Sequence, residues 1–160
     1  MVKKIVGTGV LLVLALALQA GVKMYTLKSP DGKVKLEVTA GQGIAYSLFY
    51  DGRLLLKPSR IALHTDLPEA DHWENIRITG TKQRHVSETV QAPFYRVKEF
   101  GIDCNELELR LNNGFSLLMR AYNDGMAYRF VAGRKGEMTV VEERAEFNFA
   151  DDFEAYIPVS

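Results

Sequence analysis

Few residues in this 160-residue chain have the type and spacing to do chemistry. Hydrolysis of a sugar linkage needs two acids placed across the bond. Three carboxylate pairs are available: Glu106/Glu108, Glu142-Glu143 and Asp151-Asp152. Adjacent acids on a regular strand point to opposite faces, so Glu142 and Glu143 do not converge there. Asp151-Asp152 reads as a turn after Phe149. No pair is assigned as catalytic. Zinc sites show closely spaced ligands, whereas His64, His72 and His85 lie eight and thirteen residues apart with no cysteine beside them. No metal is assigned. Cys104 is the single cysteine, which excludes an internal disulfide, and a lone cysteine reads as a small buried hydrophobe. There is no G-x-S-x-G elbow and no G-x-x-x-x-G-K phosphate loop. Trp73 remains, in the polar run Asp71-His72-Trp73-Glu74, and is the one substrate-binding candidate. An exposed indole would stack on the apolar face of a sugar. Tucked over a core, the same ring would bury a large apolar area instead.

The elements that must position these residues read as strands. Val34, Leu36 and Val38 alternate with Lys35 and Glu37, the period-2 pattern of a half-buried strand. Ser29-Pro30-Asp31-Gly32 before it is turn chemistry. Asp51-Gly52, between Tyr46–Tyr50 and Arg53–Leu56, predicts a hairpin. Leu107, Leu109 and Leu111 alternate with Glu108 and Arg110, and Asn112-Asn113-Gly114 turns the chain into Phe115–Tyr122. Asn123-Asp124-Gly125 then predicts a tight turn into Met126–Val131, because Gly supplies positive φ freely. Met138–Glu142 and Ala145–Phe149 read as further strands. Pro58 to Leu63 and Glu69 to Asn75 hold a short helical turn at most, and Leu67–Glu74 and Ser87–Phe94 read as the longer loops. Short strands with turn signals at roughly 8–12-residue spacing predict an all-β fold, an antiparallel sandwich or barrel.

Composition sets the address. Lys3 and Lys4 precede the uncharged, mostly apolar run Ile5–Leu18, with Ala15, Ala17 and Ala20 behind it. That is the pattern of a secretory signal peptide over residues 1–20. The run is shorter than the ~20 apolar residues a membrane span needs, and Gln19 ends it. No membrane span is expected after cleavage. Hydrophobic residues make up 47% of the chain, enough for a core, and 20 basic residues balance 20 acidic ones. Removing Lys3 and Lys4 leaves 18 basic residues. Nucleic acid is excluded as a partner, since its recognition uses a basic face. Residues 21–160 form one expected domain. Phe147, Phe149, Phe153, Tyr156 and Ile157 still read as folded sequence just before Pro158-Val159-Ser160. An aromatic-rich strand ending there would leave an edge unpaired, so the domain is expected to be partial.

Five segments occur in a recognisable order: Ser29–Val38, Tyr50–Leu63, Asn105–Leu111, Met119–Phe130 and Glu146–Phe149. Together they resemble the N-terminal domain of glycoside hydrolase family 97. The core R-A-Y-x-D-G-x-A-[YF]-R-[YF] is met by Arg120–Phe130, and the likeness runs from about Ser29 to Ile157. Ala92-Pro93-Phe94-Tyr95 departs from it, where many members carry a Trp and a Gly. The resemblance implies an exported α-glucosidase or α-galactosidase, retaining or inverting, of the periplasm. It implies an N-terminal β-super-sandwich similar to galactose mutarotase, here incomplete, ahead of a catalytic (β/α)8 barrel and a small C-terminal β domain. It also implies an oligosaccharide substrate and a Ca2+ ion held by glutamates of the barrel and of a later part of the N-terminal domain. The residues of that ion and of the acid chemistry have no counterpart in this chain. The segment is thus expected to be non-catalytic, to support the barrel and to bind carbohydrate. The alternative is a standalone carbohydrate-binding sandwich; mutarotase-type chemistry ranks last.

Overall fold

A computed structural model describes residues 23–94 and 96–154. The expected signal peptide lies outside the described residues, as do Tyr95, Tyr156 and Ile157. The described chain forms nine strands: β1 (Lys23–Lys28), β2 (Val34–Gly41), β3 (Gly43–Tyr50), β4 (Arg53–Thr65), β5 (Ile78–Gln91), β6 (Glu99–Leu111), β7 (Phe115–Tyr122), β8 (Gly125–Ala132) and β9 (Val140–Ala145). They make two antiparallel sheets. One has the order β1-β2-β3-β4-β9, the other β5-β6-β7-β8. The expected all-β sandwich is therefore the fold.

Alternation in the sequence becomes burial. On β2, Val34, Leu36 and Val38 are buried, while Lys35 and Glu37 form an outward ion pair at 2.8 Å. On β7, Phe115, Leu117, Met119 and Ala121 all face inward. Leu107, Leu109 and Leu111 of β6 join them, and Ile44, Tyr46 and Ile61 pack from the other sheet. Tyr46 is large and wholly enclosed. Its hydroxyl donates to the Glu146 carbonyl at 3.3 Å, and burial pushes its phenol up from the usual value.

The chain reverses where the turns are predicted, but at Asn123-Asp124 the reason differs: Gly125 pairs Tyr122 as the first residue of β8 and does not take the positive φ expected of it. Asp51 and Gly52 both have positive φ, 48° and 80°, as a two-residue hairpin of the primed type requires. At the β1–β2 turn the Ser29 hydroxyl donates to Asp31 at 2.6 Å and accepts from the Val34 amide at 3.0 Å. The bond from Ser29, and one from the Lys33 amide, hold the Asp31 carboxyl below its usual range.

Three further expectations are corrected. Pro58 to Leu63 is strand, the middle of β4, with no helical turn. The β3–β4 register shifts between Tyr46 and Leu48, and Lys57 and Pro58 fall outside that ladder. A bulge of this kind admits a proline that has no amide to offer. Ser87–Phe94 is not a loop throughout, because β5 runs to Gln91. Beyond Ala145 the chain does not form the predicted second strand. It follows β4 through the bridge Phe149 to Leu56, through backbone bonds of Glu146, Asn148 and Ala150 to Arg60, Lys57 and Leu55, and through the Asn148 amide, which donates to Ser59 Oγ at 2.9 Å.

Candidate functional site

β4 ends at Thr65 and β5 begins at Ile78, leaving the connection 66–77 without strand. A connection of that length is usually functional or disordered. Here it is pinned. Ala70, Trp73 and Ile76 are buried in the core at three-residue spacing. The amides of Ala70 and Asp71 both donate to the Leu67 carbonyl, at 2.9 and 3.1 Å, closing one helical turn. The Ile76 amide donates to the Gly41 carbonyl at 2.9 Å, which ties the loop to the β2–β3 turn. Arg77 and Asn112 exchange two bonds: the Arg77 amide donates to Asn112 Oδ1 at 2.8 Å, and the Asn112 amide returns to the Arg77 carbonyl at 3.0 Å. Asn113 Nδ2 donates to the Ala70 carbonyl at 3.2 Å.

Trp73 is the central anchor. It is only 6% exposed, and its Nε1 donates to the Leu63 carbonyl at 3.1 Å. Its ring sits 6.1 Å from Phe115 and 5.2 Å from Phe130 between centroids. The expectation of an exposed indole stacking on a sugar is therefore corrected: its ring is packed on neighbouring aromatics, and the loop-tucked alternative describes the residue.

Around this anchor a cleft of about 1190 Å3 opens, walled by the β2–β3 turn, the end of β4, the loop and the β6–β7 turn. His64 Nδ1 lies 2.7 Å from Asp71 Oδ1, so a half-buried imidazole and a half-buried carboxylate pair at its wall. His72, Glu74, Asn75 and Arg77 line the same cleft. A carboxylate-oriented histidine is the supporting half of a nucleophilic site, but none of the residues lining this cleft is a serine, threonine or cysteine. The arrangement can bind and orient a ligand through hydrogen bonds. The sequence shows His64 and His72 as isolated and Asp71 only as part of the polar run around Trp73. His64 and Asp71, seven residues apart, pair because the loop folds back on the end of β4.

The remaining candidates serve structure. Glu106 and Glu108, two apart on β6, share the outer face of the second sheet. Glu106 is 4% exposed and takes Arg84 Nε at 2.7 Å and Arg120 Nε at 2.8 Å on its two oxygens. Burial works to raise this carboxyl, but the two guanidinium hydrogen bonds outweigh it and hold it below the usual range. Glu143 accepts from the Tyr128 hydroxyl at 3.2 Å, and Asp151 faces Arg53 at 3.7 Å. His85 contacts Asn105 and Asp103, each at 3.0 Å. Cys104 is wholly buried, and that burial pushes its thiol up, as an inert core cysteine requires.

Comparison with known proteins places this geometry. The model of the family described as glycosyl-hydrolase 97 N-terminal matches residues 27–160. A retaining alpha-galactosidase of Bacteroides thetaiotaomicron is 40% identical over 144 residues, covering 89% of this chain and 21% of that protein. A probable retaining alpha-galactosidase of Streptomyces bingchenggensis is 26% identical over 132 residues, 80% of this chain and 20% of its own. The chain thus spans about a fifth of the length of these relatives. Among solved structures, a beta-arabinopyranosidase superposes with a TM-score of 0.69 at 25% identity, covering 78% of this chain and 21% of the other. A glycoside hydrolase family 97 enzyme of Pseudoalteromonas sp. strain K8, in complex with panose, superposes at 0.66 and 18% identity, over 79% and 20%. With five ordered motifs, a two-sheet sandwich and a family match over nearly all of the described residues, the chain belongs to the glycosyl-hydrolase 97 N-terminal family.

Proposed function

We propose that this chain is the non-catalytic N-terminal sandwich of an exported α-glycosidase that cleaves α-galactosides with retention, and that it supports a catalytic barrel lying downstream. The observation that carries the reading is the family match over 27–160 together with two relatives of which this chain matches only about a fifth, a retaining alpha-galactosidase and a probable one. The carboxylates support it from the other side. Glu106 is held by Arg84 and Arg120, and Glu143 accepts from Tyr128, both within the sandwich. Export to the periplasm, by the leader at residues 1–20, is part of the same proposal.

Calcium belongs to this proposal only through the parent. Among the described residues no three His, Cys, Asp or Glu side chains converge as ligands, so the residues described here do not fit the ion. The role of this chain is structural and recognitive: to present a rigid face to the barrel and polar groups to the sugar.

Two measurements test the reading. The mass of the native polypeptide in the source cells is expected to be several times the 18.0 kDa of this chain. The whole 160-residue chain, assayed on nitrophenyl α-galactoside, is expected to release no product above background. A native product near 18.0 kDa, or turnover by this chain alone, would overturn it. The first of those outcomes would leave a standalone carbohydrate-binding module.

A further inference from the structure

We infer that the cleft between the 71–77 segment, the β2–β3 turn and Asn112 is a binding site for a neutral oligosaccharide, with Glu74 and Arg77 as its hydrogen-bonding side chains. The choice of sugar class rests on the glycosidase reading above; the site itself rests on three observations.

The first is a contrast in how polar groups are used. Backbone and amide groups of the 70–77 segment are tied to Leu67, Gly41, Asn112 and Asn113, so the rim is rigid before any ligand arrives. The side chains of Gln42, Glu74 and Arg77, by comparison, hold no hydrogen bond to another described residue. Fixed backbone with uncommitted donors and acceptors is what preorganised recognition requires.

The second is charge. A smaller neighbouring pocket shares Gln42, Glu74 and Asn75 with the cleft and is lined also by Arg60. Within the cleft Asp71 and Glu74 stand beside Arg77, His64 and His72, so both signs are interspersed and no cluster of one sign selects an anion or a cation. Carboxylates accept from hydroxyls, guanidinium and amide nitrogens donate to them, and a polyol is the neutral ligand that offers both at each position. The third is size. About 1190 Å3 exceeds the span of most single small-molecule pockets and admits more than one sugar ring.

Trp73 is the one tryptophan of the chain and lines the cleft, so its fluorescence reports occupancy. The whole chain is titrated with raffinose, maltotriose and digalacturonate. Expected are a saturable change with raffinose or maltotriose, none with digalacturonate, and binding weakened about tenfold in Glu74→Gln and in Arg77→Gln. Glu69→Gln, on the same loop but paired with Arg134 and not part of the cleft lining, serves as control and binds as wild type. Thermal melts confirm that the variants fold. No response to either neutral sugar, tighter binding of digalacturonate, or unchanged affinity in both cleft variants overturns the inference. A second readout covers the native polypeptide: amide exchange of residues 71–77 slows on adding raffinose. Protection already complete without sugar would mean that another domain covers the cleft, and also overturns it. Sugar binding by a native product near 18.0 kDa would keep the site while removing the glycosidase parent; a long native product that hydrolyses raffinose but shows unchanged exchange at residues 71–77 would do the reverse.

Discussion

Glu106 shows how one carboxylate can look catalytic in sequence and be structural in the fold. It sits on the outer face of the second sheet, yet Arg84 and Arg120 close over it from the neighbouring strands β5 and β7. Each oxygen accepts from one guanidinium, and only 4% of the residue is exposed. Glu106→Gln removes the charge that the two guanidinium groups face and is expected to cost about 2 kcal/mol, read by urea denaturation at neutral pH. The sign with pH follows from the depressed carboxyl. Its contribution is complete above the ordinary carboxylate range and is lost as pH falls through the lower folded value. The gap between wild type and Glu106→Gln should therefore be full at pH 7 and shrink below about pH 4. A gap that stays constant down to pH 2 would mean that the ion pair carries none of the stability.

At the scale of elements, what was legible depended on burial. β2 and β7 alternate because one face of each meets the core, and both were read at once. β5 was missed. Among its fourteen residues only Val86 is buried, so no period marks it as a strand. Its strand is imposed by β6, which it pairs along its length from Ile78↔Leu111 to Val90↔Phe100 and Gln91↔Glu99. The same limit hid the candidate cleft. Four separate segments build it, and neither composition nor spacing reports that Gly41 and Asn112 will both bond the same loop. The buried triplet Ala70, Trp73 and Ile76 was visible only as apolar residues in polar surroundings. Trp73→Ala tests whether that triplet holds the element. The loss of a buried indole and of its bond to Leu63 is expected to cost about 3–5 kcal/mol. Amide exchange at Asp71–Arg77 should rise more than in β7, since the loop loses its anchor while the sheet keeps its ladder. Equal acceleration everywhere would show that the residue stabilises the sandwich and not the loop.

For the whole molecule the governing fact is where apolar surface remains. Val140 and Val141 are exposed on β9, which pairs only β4 among the described residues. Phe147 and Phe149 follow on the same edge, and both are exposed. At the other sheet, Glu99 to Asp103 of β6 pair only β5 among the described residues, so the β5–β6 hairpin projects past β7. Phe94 near its tip is 99% exposed, with Val97 and Phe100 beside it. An unpaired edge and an exposed apolar tip are both routes to association. Residues 21–160 alone are therefore expected to self-associate, as seen by light scattering after size exclusion. The two routes separate by mutation. Val141→Lys places a charge on the β9 edge, a device that natural edge strands use against pairing, while Phe94→Asp removes the tip contact without touching a ladder. If edge pairing drives association, Val141→Lys restores the monomer and Phe94→Asp does not; if the tip drives it, the reverse holds. A monodisperse wild-type chain with a sharp, reversible thermal transition would refute both, and would mean that these apolar residues are tolerated at the surface without a partner.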